Sequence, residues 1–428
     1  MERRGMEHLK KLIIVAGLMS CVFGLSSFVW AQDVKEVRVG VIWPLTGPIP
    51  YLGNLCKSVT DLGVDLVNKK FDIDSPGNIF RSEGFPNLKG AKLRLIMADD
   101  EGKPDVGRAA AERLITVDKV HALLGTVMSG VTVTISQVAE QYKIPMVNTN
   151  SSSPKLTQRG FKYFFRTTPH DEIFVGTILE FMRDLREKKK VDIKNIAVLC
   201  EDTQWGQDAA EVIRKKAPEF GMKVILDIAY PHEATNVEAE VVRLKGAKPD
   251  VIFMSSYDSD AILFQKTFKK YDVRIPIVAN NTGHKDTIFH TSLGGDADFV
   301  MTRDLWSESM LRTVPVAKQV DELLKARGNK EGMGESQGRV FIGFLTLLDA
   351  INRAGSTDPE AIRQALVNTS ISGSYLSLPW EGVNFDQTGQ NIHGKPMMTQ
   401  WQGGKLKAVW PWRVAETEIV WPLPPWKR

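Results

Sequence analysis

Residues 145–156 read Pro145-Met-Val-Asn-Thr-Asn-Ser-Ser-Ser-Pro-Lys-Leu156. A short apolar run, Pro145 to Val147, passes directly into a polar turn. Ser153 followed by Pro154 has the N-cap and first-position chemistry that opens a helix. Asn150, Ser151 and Ser152 set an amide and two hydroxyls just ahead of backbone N–H groups that a helix leaves free. Such a corner suits a small anion such as a carboxylate. A second corner, His121-Ala-Leu-Leu-Gly-Thr-Val-Met-Ser-Gly130, repeats the arrangement upstream. Two corners of this type at the C-terminal ends of strands predict a ligand cleft.

The surrounding chain keeps the same rhythm. β-rich apolar runs fall at 37–43, 93–98, 122–125, 145–148, 196–199, 223–228, 251–254 and 276–279. Amphipathic stretches of helical length, at 106–117, 173–185, 207–220, 237–244 and 261–269, lie between them. Continuous apolar strands alternating with helices predict α/β structure with parallel sheets covered on both faces. Some 400 residues beyond a leader exceed one ordinary core, so two doubly wound lobes are expected. The turn-rich stretch from Phe71 to Lys89 reads as a surface loop that bears on pocket volume. Helices are expected again at 314–325, 340–354 and 359–366. After Gly373 come short strands and turns, and the proline-rich end, Ile419 to Trp426, should lie extended against a domain.

At the N-terminus, Arg3, Arg4, Lys10 and Lys11 precede an apolar run to Trp30, and Val29-Trp30-Ala31 has signal-peptidase spacing. A signal peptide over 1–31 is expected. A lipid anchor at Cys21 and an uncleaved membrane anchor are the lesser alternatives. The net charge of +4 is small, and no basic run points to nucleic acid. After export two of the three cysteines remain, Cys56 and Cys200, and their pairing is open. No Cys/His spacing resembles a metal site, and no cofactor is implied.

Enzyme signatures are missing together. Trp43-Pro-Leu-Thr-Gly-Pro follows the first strand where a dinucleotide fold needs a glycine fingerprint, and there is no P-loop, nucleophile elbow or H-E-x-x-H. His284, Asp286 and His290 read as a solvated loop. Asp99-Asp100-Glu101 reads as a turn before a helix rather than a cation site.

Several residues, taken in order, resemble one family. They are Pro44-Leu-Thr-Gly-Pro48 with Gly53, Asp99-Asp100 with Pro104, Gly125-x-x-x-Ser129, and Pro154-x-Leu156 with Arg159-Gly160. Phe165-Arg-Thr-Thr168, Gln204-Trp-Gly206 and Tyr257 continue the series. The chain from about Val37 to Trp401 is similar to the periplasmic solute-binding proteins of branched-chain amino-acid-type ABC transporters. The resemblance implies a type I periplasmic binding protein fold: two lobes, a three-stranded hinge, and crossings near Thr168, Thr302 and Ser374. Lobe one would comprise 32–168 and 303–374, and lobe two 169–302 and 375–428. It also implies a mostly monomeric protein serving an ABC-type permease.

Site residues follow from the resemblance position by position. Ser129 stands where the family holds a ligand carboxylate, with Asn150 and Ser152 at the second corner. Trp205 and Tyr257 match the aromatic wall of lobe two. Trp43 falls at the mouth of the first strand, where it would narrow the pocket. The departure is Asn281, standing where amino-acid binders carry an acid for the ligand ammonium. A buried ammonium needs a charged partner. The expectation is therefore a non-enzymatic binding protein for a small carboxylate-bearing or amide ligand, aromatic or lacking an α-amino group. Two alternatives stand beside it: a true amino-acid binder with Asp258 or another nearby acid as substitute, and a ligand-sensing module.

Overall fold

The computed structural model describes residues 34–280 and 282–426. The expected leader with Cys21 therefore lies outside the described residues. Fourteen strands are present among those described: β1 (Glu36–Trp43), β2 (Lys92–Asp99), β3 (Ala122–Gly125), β4 (Met146–Asn148), β5 (Phe164–Arg166), β6 (Asn195–Glu201) and β7 (Lys223–Tyr230), followed by β8 (Val251–Ser255), β9 (Ile277–Ala279), β10 (Met301–Asp304), β11 (Ile371–Ser372), β12 (Gly382–Val383), β13 (Met397–Gln402) and β14 (Lys405–Trp410).

They form two large sheets. The first is parallel throughout, in the order β2-β1-β3-β4-β5. The second runs β14-β13-β10-β9-β8-β6-β7, parallel from β10 to β7, with the antiparallel hairpin β13–β14 on its edge. Strand order reverses beside β1 in one sheet and beside β6 in the other. In doubly wound sheets the crevice at that reversal, outside the carboxyl ends, is where ligands sit. Ser129 follows β3, Trp205 follows β6 and Tyr257 follows β8, so each lobe presents its switch point to the site.

The first lobe is built around two helices, Pro50–Asn68 and Glu335–Ala354. The second is buried from Glu335 to Asn352 without an exposed stripe, as an all-round covered helix must be. Close approach depends on missing side chains. A Cβ on Gly63 would stand 1.9 Å from the Phe344 ring. Gly63→Ala should therefore destabilise the protein by about 1–3 kcal/mol, the usual range for overpacking. A chemical-denaturation midpoint unchanged from wild type would contradict this packing.

Three expectations need correction. The segment 71–89 is not a loose surface loop. Ile73, Ile79, Phe80, Phe85 and Leu88 are buried, and Phe80 packs on Phe341 with ring centroids 6.1 Å apart. Its apolar residues seal the far side of the Glu335–Ala354 helix, so it does not bear on the pocket. Residues 154–156 make one turn of 3₁₀ helix, and Ser153 makes no side-chain cap. The second corner thus has no helix terminus to offer. The third crossing lies after Asn391, not near Ser374. Ser377 still bonds Gly338, Arg166 N–H donates to Gly389 at 2.8 Å, and the chain joins the second sheet only at Met397. The first crossing follows β5 at Thr167–Thr168, and the second follows β10.

Cys56 and Cys200 are both free and buried. The C-terminal stretch lies extended on the second lobe. Arg274 stacks on Trp426 at 4.0 Å and donates to the Pro424 carbonyl at 2.8 Å. No helix among the described residues is long and apolar enough to cross a membrane.

Candidate ligand-binding cleft

The lobes are closed on one another. Ser129, Asn150, Ser152, Trp205 and Tyr257, predicted from sequence, line one pocket of about 20 Å³ together with Leu52, Val127, Arg303 and Arg339. Ser129 and Tyr257 also line an adjoining chamber of about 410 Å³, walled by Pro104, Met128, Gln204 and His232 among others. The small pocket holds little more than a water; the chamber is of ligand size. Trp205 and Tyr257 rings sit 5.1 Å apart at 45°, forming one wall.

Trp43 does not reach the site. It is fully exposed to nothing but protein, at 0% accessibility. Period-two alternation puts it on the face of β1 shared with Val37, Val39 and Val41, inside the first lobe. Asn281 lies outside the described residues.

The polar groups at the corners have definite roles. Ser129, first residue of the helix Ser129–Tyr142, accepts from Ser153 N–H at 3.3 Å, which leaves its hydroxyl proton to offer. Ser152 donates to Asp171 Oδ2 at 3.1 Å, so in this closed form its proton serves the protein. Asn280 donates to the other Asp171 oxygen at 3.0 Å. Burial, partly offset by the Asn280 bond, Arg303 and the Ser152 bond, pushes the Asp171 carboxyl up to about 6.

A model of the periplasmic binding protein family matches residues 36–405. The chain belongs to the periplasmic binding protein family. Membership makes it a small-molecule binding protein, extracytoplasmic and not an enzyme. A curated relative, Leu/Ile/Val-binding protein homolog 7 of Brucella suis, is 27% identical over 402 residues, covering 92% of this chain and 96% of the relative. Homolog 8 of Brucella abortus is 26% identical over 416 residues, covering 94% and 97%. Among solved structures, the leucine binding protein LivK of Thermotoga maritima aligns with a TM-score of 0.73 at 21% identity, covering 87% of this chain and 97% of that one. A solute binding protein of an ABC transporter from Rhodopseudomonas palustris, in complex with 3,4-dihydroxybenzoic acid, aligns at 0.71 and 20% identity, covering 87% and 95%.

Sequence reading missed the charged floor of this binding protein's pocket. Arg303, at the end of the hinge strand β10, and Arg339, in the helix Glu335–Ala354, are both buried. Arg303 stacks on Phe174 at 3.8 Å and bonds Glu335 at 2.5 Å; its Nε has no partner. Arg339 donates to the carbonyls of Thr149, at 3.2 Å, and Asn150, and so shapes the second corner. Arg166 does the same from below, donating to the Ser153 carbonyl at 2.6 Å. Glu335 also faces Lys285 at 2.6 Å. Burial alone would push its carboxyl up; Lys285, Arg303 and Arg339 outweigh that and hold it below the ordinary carboxylate range. Tyr51 was missed as well. It lines a separate, strongly charged cavity of about 230 Å³ with Lys285, Asp286 and Glu335.

The acidic turn 99–101 is consumed by its own fold. Asp99 accepts from Leu45 N–H at 2.8 Å and Thr46 Oγ1 at 2.6 Å, and Asp100 accepts from Gly102 N–H at 2.8 Å and from Thr126. His290 stacks on Trp401, with centroids 5.2 Å apart, and His284 packs on Phe289.

A latch crosses the cleft at its rim. Asp208 of the second lobe is buried, and accepts from Ser153 Oγ at 2.5 Å and Lys155 Nζ at 2.6 Å of the first. Asp208→Asn should favour opening and speed ligand release about 3- to 10-fold with little change in folding stability. Stopped-flow release rates equal to wild type would show that the latch does not hold the closed form.

Proposed function

We propose that this protein is the substrate-binding subunit of an ABC importer, capturing a small carboxylate-bearing ligand without an α-amino group. One observation carries the reading. The inner pocket offers partnerless donors, Trp205 Nε1 and Arg303 Nε, beside the Ser129 hydroxyl, and no Asp or Glu lines it among the described residues. Donors inside a closed, water-poor cleft favour an anion, while an ammonium there would lack its countercharge. The paired rings of Trp205 and Tyr257 suit a flat or aromatic ligand body. The relative carrying 3,4-dihydroxybenzoic acid supports an aromatic acid; the Leu/Ile/Val-binding relatives support the importer role. Binding proceeds by hinge closure, with the carboxylate at the first corner and the aromatic wall folding over it.

A true amino acid is the second reading, favoured by one feature. Asp258, next to Tyr257, is buried, and desolvation with the nearby Asp286 charge raises its carboxyl. An incoming ammonium would relieve that raised state. A thermal-shift screen pairing leucine with 4-methylpentanoate, and phenylalanine with 3-phenylpropanoate and 3,4-dihydroxybenzoate, separates the two. A ligand at 100 times its Kd adds about 2.7 kcal/mol. Stabilisation by the des-amino acids alone is the expected result. Stabilisation by amino acids alone overturns the first reading.

A further inference from the structure

Three side chains outside the inner pocket, one of which (His232) also walls the outer chamber, converge in the second lobe behind Tyr257. Glu201 ends β6, His232 follows β7, and Asp260 lies in the first turn of the helix Asp258–Lys270. β7, β6 and β8 are neighbours in the sheet, so their carboxyl ends bring together residues far apart in sequence. One ligating atom from each residue lies within 4.8 Å of the others, the one such group among the described residues.

Both carboxylates have 0% accessibility. Each has one oxygen held by the protein and one left over. Thr203 Oγ1 donates to Glu201 Oε1 at 2.6 Å, and Glu233 N–H donates to Asp260 Oδ2 at 3.3 Å. Glu201 Oε2 and Asp260 Oδ1 have no hydrogen-bond partner. The imidazole Nδ1 stands 2.9 Å from Glu201 Oε2 and 3.6 Å from Asp260 Oδ2, yet neither ring nitrogen makes an aligned hydrogen bond. Two buried carboxylates at this range require a cation, and either a protonated His232 ring or a metal ion held by all three groups supplies it. His232 keeps partial access and lines the 410 Å³ chamber, which gives an entry path.

We infer that Glu201, His232 and Asp260 form a site for a divalent transition-metal ion of the zinc class, with a fourth position open to the chamber. One imidazole with two carboxylate oxygens is a donor set for zinc-like ions rather than for calcium or magnesium, which take oxygen alone. The His232 ring meets Tyr257 edge-on at 5.6 Å, so the ion would brace the aromatic wall from behind. The competing state is an imidazolium held between the carboxylates, which supplies the charge and binds no metal.

The test is titration of untagged, EDTA-stripped protein with ZnCl2 by calorimetry, and with CoCl2 by visible absorption. The expected result is one equivalent of zinc and the intense ligand-field bands of four-coordinate cobalt. His232→Gln and Glu201→Gln should each weaken zinc by more than the roughly 10- to 100-fold that losing a mere orienting partner brings. Circular dichroism verifies that the variants fold. Three outcomes overturn the site: no zinc uptake by wild type, uptake that survives His232→Gln within threefold, or a weak octahedral cobalt spectrum. The cobalt spectrum of wild type decides the matter even where a variant does not fold.

Discussion

Replacing Glu335 by glutamine should destabilise this protein by about 3–5 kcal/mol, the range for removing one partner of a buried ion pair. The carboxylate faces Lys285 at 2.6 Å, Arg303 at 2.5 Å and Arg339 at 3.5 Å, and all four groups are buried. Glu335→Gln preserves the volume and removes the one carboxylate that, among the described residues, pairs with all three cations. Surface pairs such as Lys57–Asp61 are worth far less, about 0–1 kcal/mol. The effect also has a pH signature. The folded carboxyl titrates below its unfolded value, so its contribution is complete at neutral pH and is lost as pH falls through the folded value. The gap between wild type and Glu335→Gln in urea denaturation should therefore shrink on acidification below the ordinary carboxylate range. A neutral-pH gap under about 1 kcal/mol would falsify the role given to this cluster.

The second large effect concerns binding. Trp205→Ala should weaken the best ligand of the thermal-shift screen by about 30- to 1000-fold, or roughly 2–4 kcal/mol, as for a central aromatic anchor. Trp205 is 5% exposed, packs on Tyr257, and carries an indole N–H without a partner inside the closed cleft. Its loss removes ring contact and a donor together. Trp205→Phe separates them: it restores the contact, and the affinity still missing measures the N–H. Calorimetry showing Trp205→Ala within threefold of wild type would mean that the ligand sits in the outer chamber without touching this wall.

Local pattern made much of the fold legible. The unbroken apolar run of β8 announces a strand covered on both faces, and Val37, Val39 and Val41, alternating with Arg38 and Gly40, announce β1 by its period of two. Gly221 stops the segment before it with φ 67°, a left-handed conformation that glycine adopts without strain. Among the residues the resemblance proposed for the site, Ser129, Trp205 and Tyr257 line one pocket, each following a strand that ends at the cleft. Trp43 failed for the opposite reason. Its place at a strand end says it is near the crevice, but the phase of the pleat turns it into the core.

The sequence by itself determined the α/β class, the order of the strands and the strand-to-helix corner at Ser129, since these rest on periodicities and contacts within about twenty residues. Only the tertiary structure decided the electrostatics. Arg303 and Arg339 belong to a hinge strand and a core helix, and Glu201, His232 and Asp260 to a strand end, a loop after a strand and the first turn of a helix. Charged residues gain their meaning from burial and from the partner that burial forces on them, and both are settled by chain segments distant in sequence.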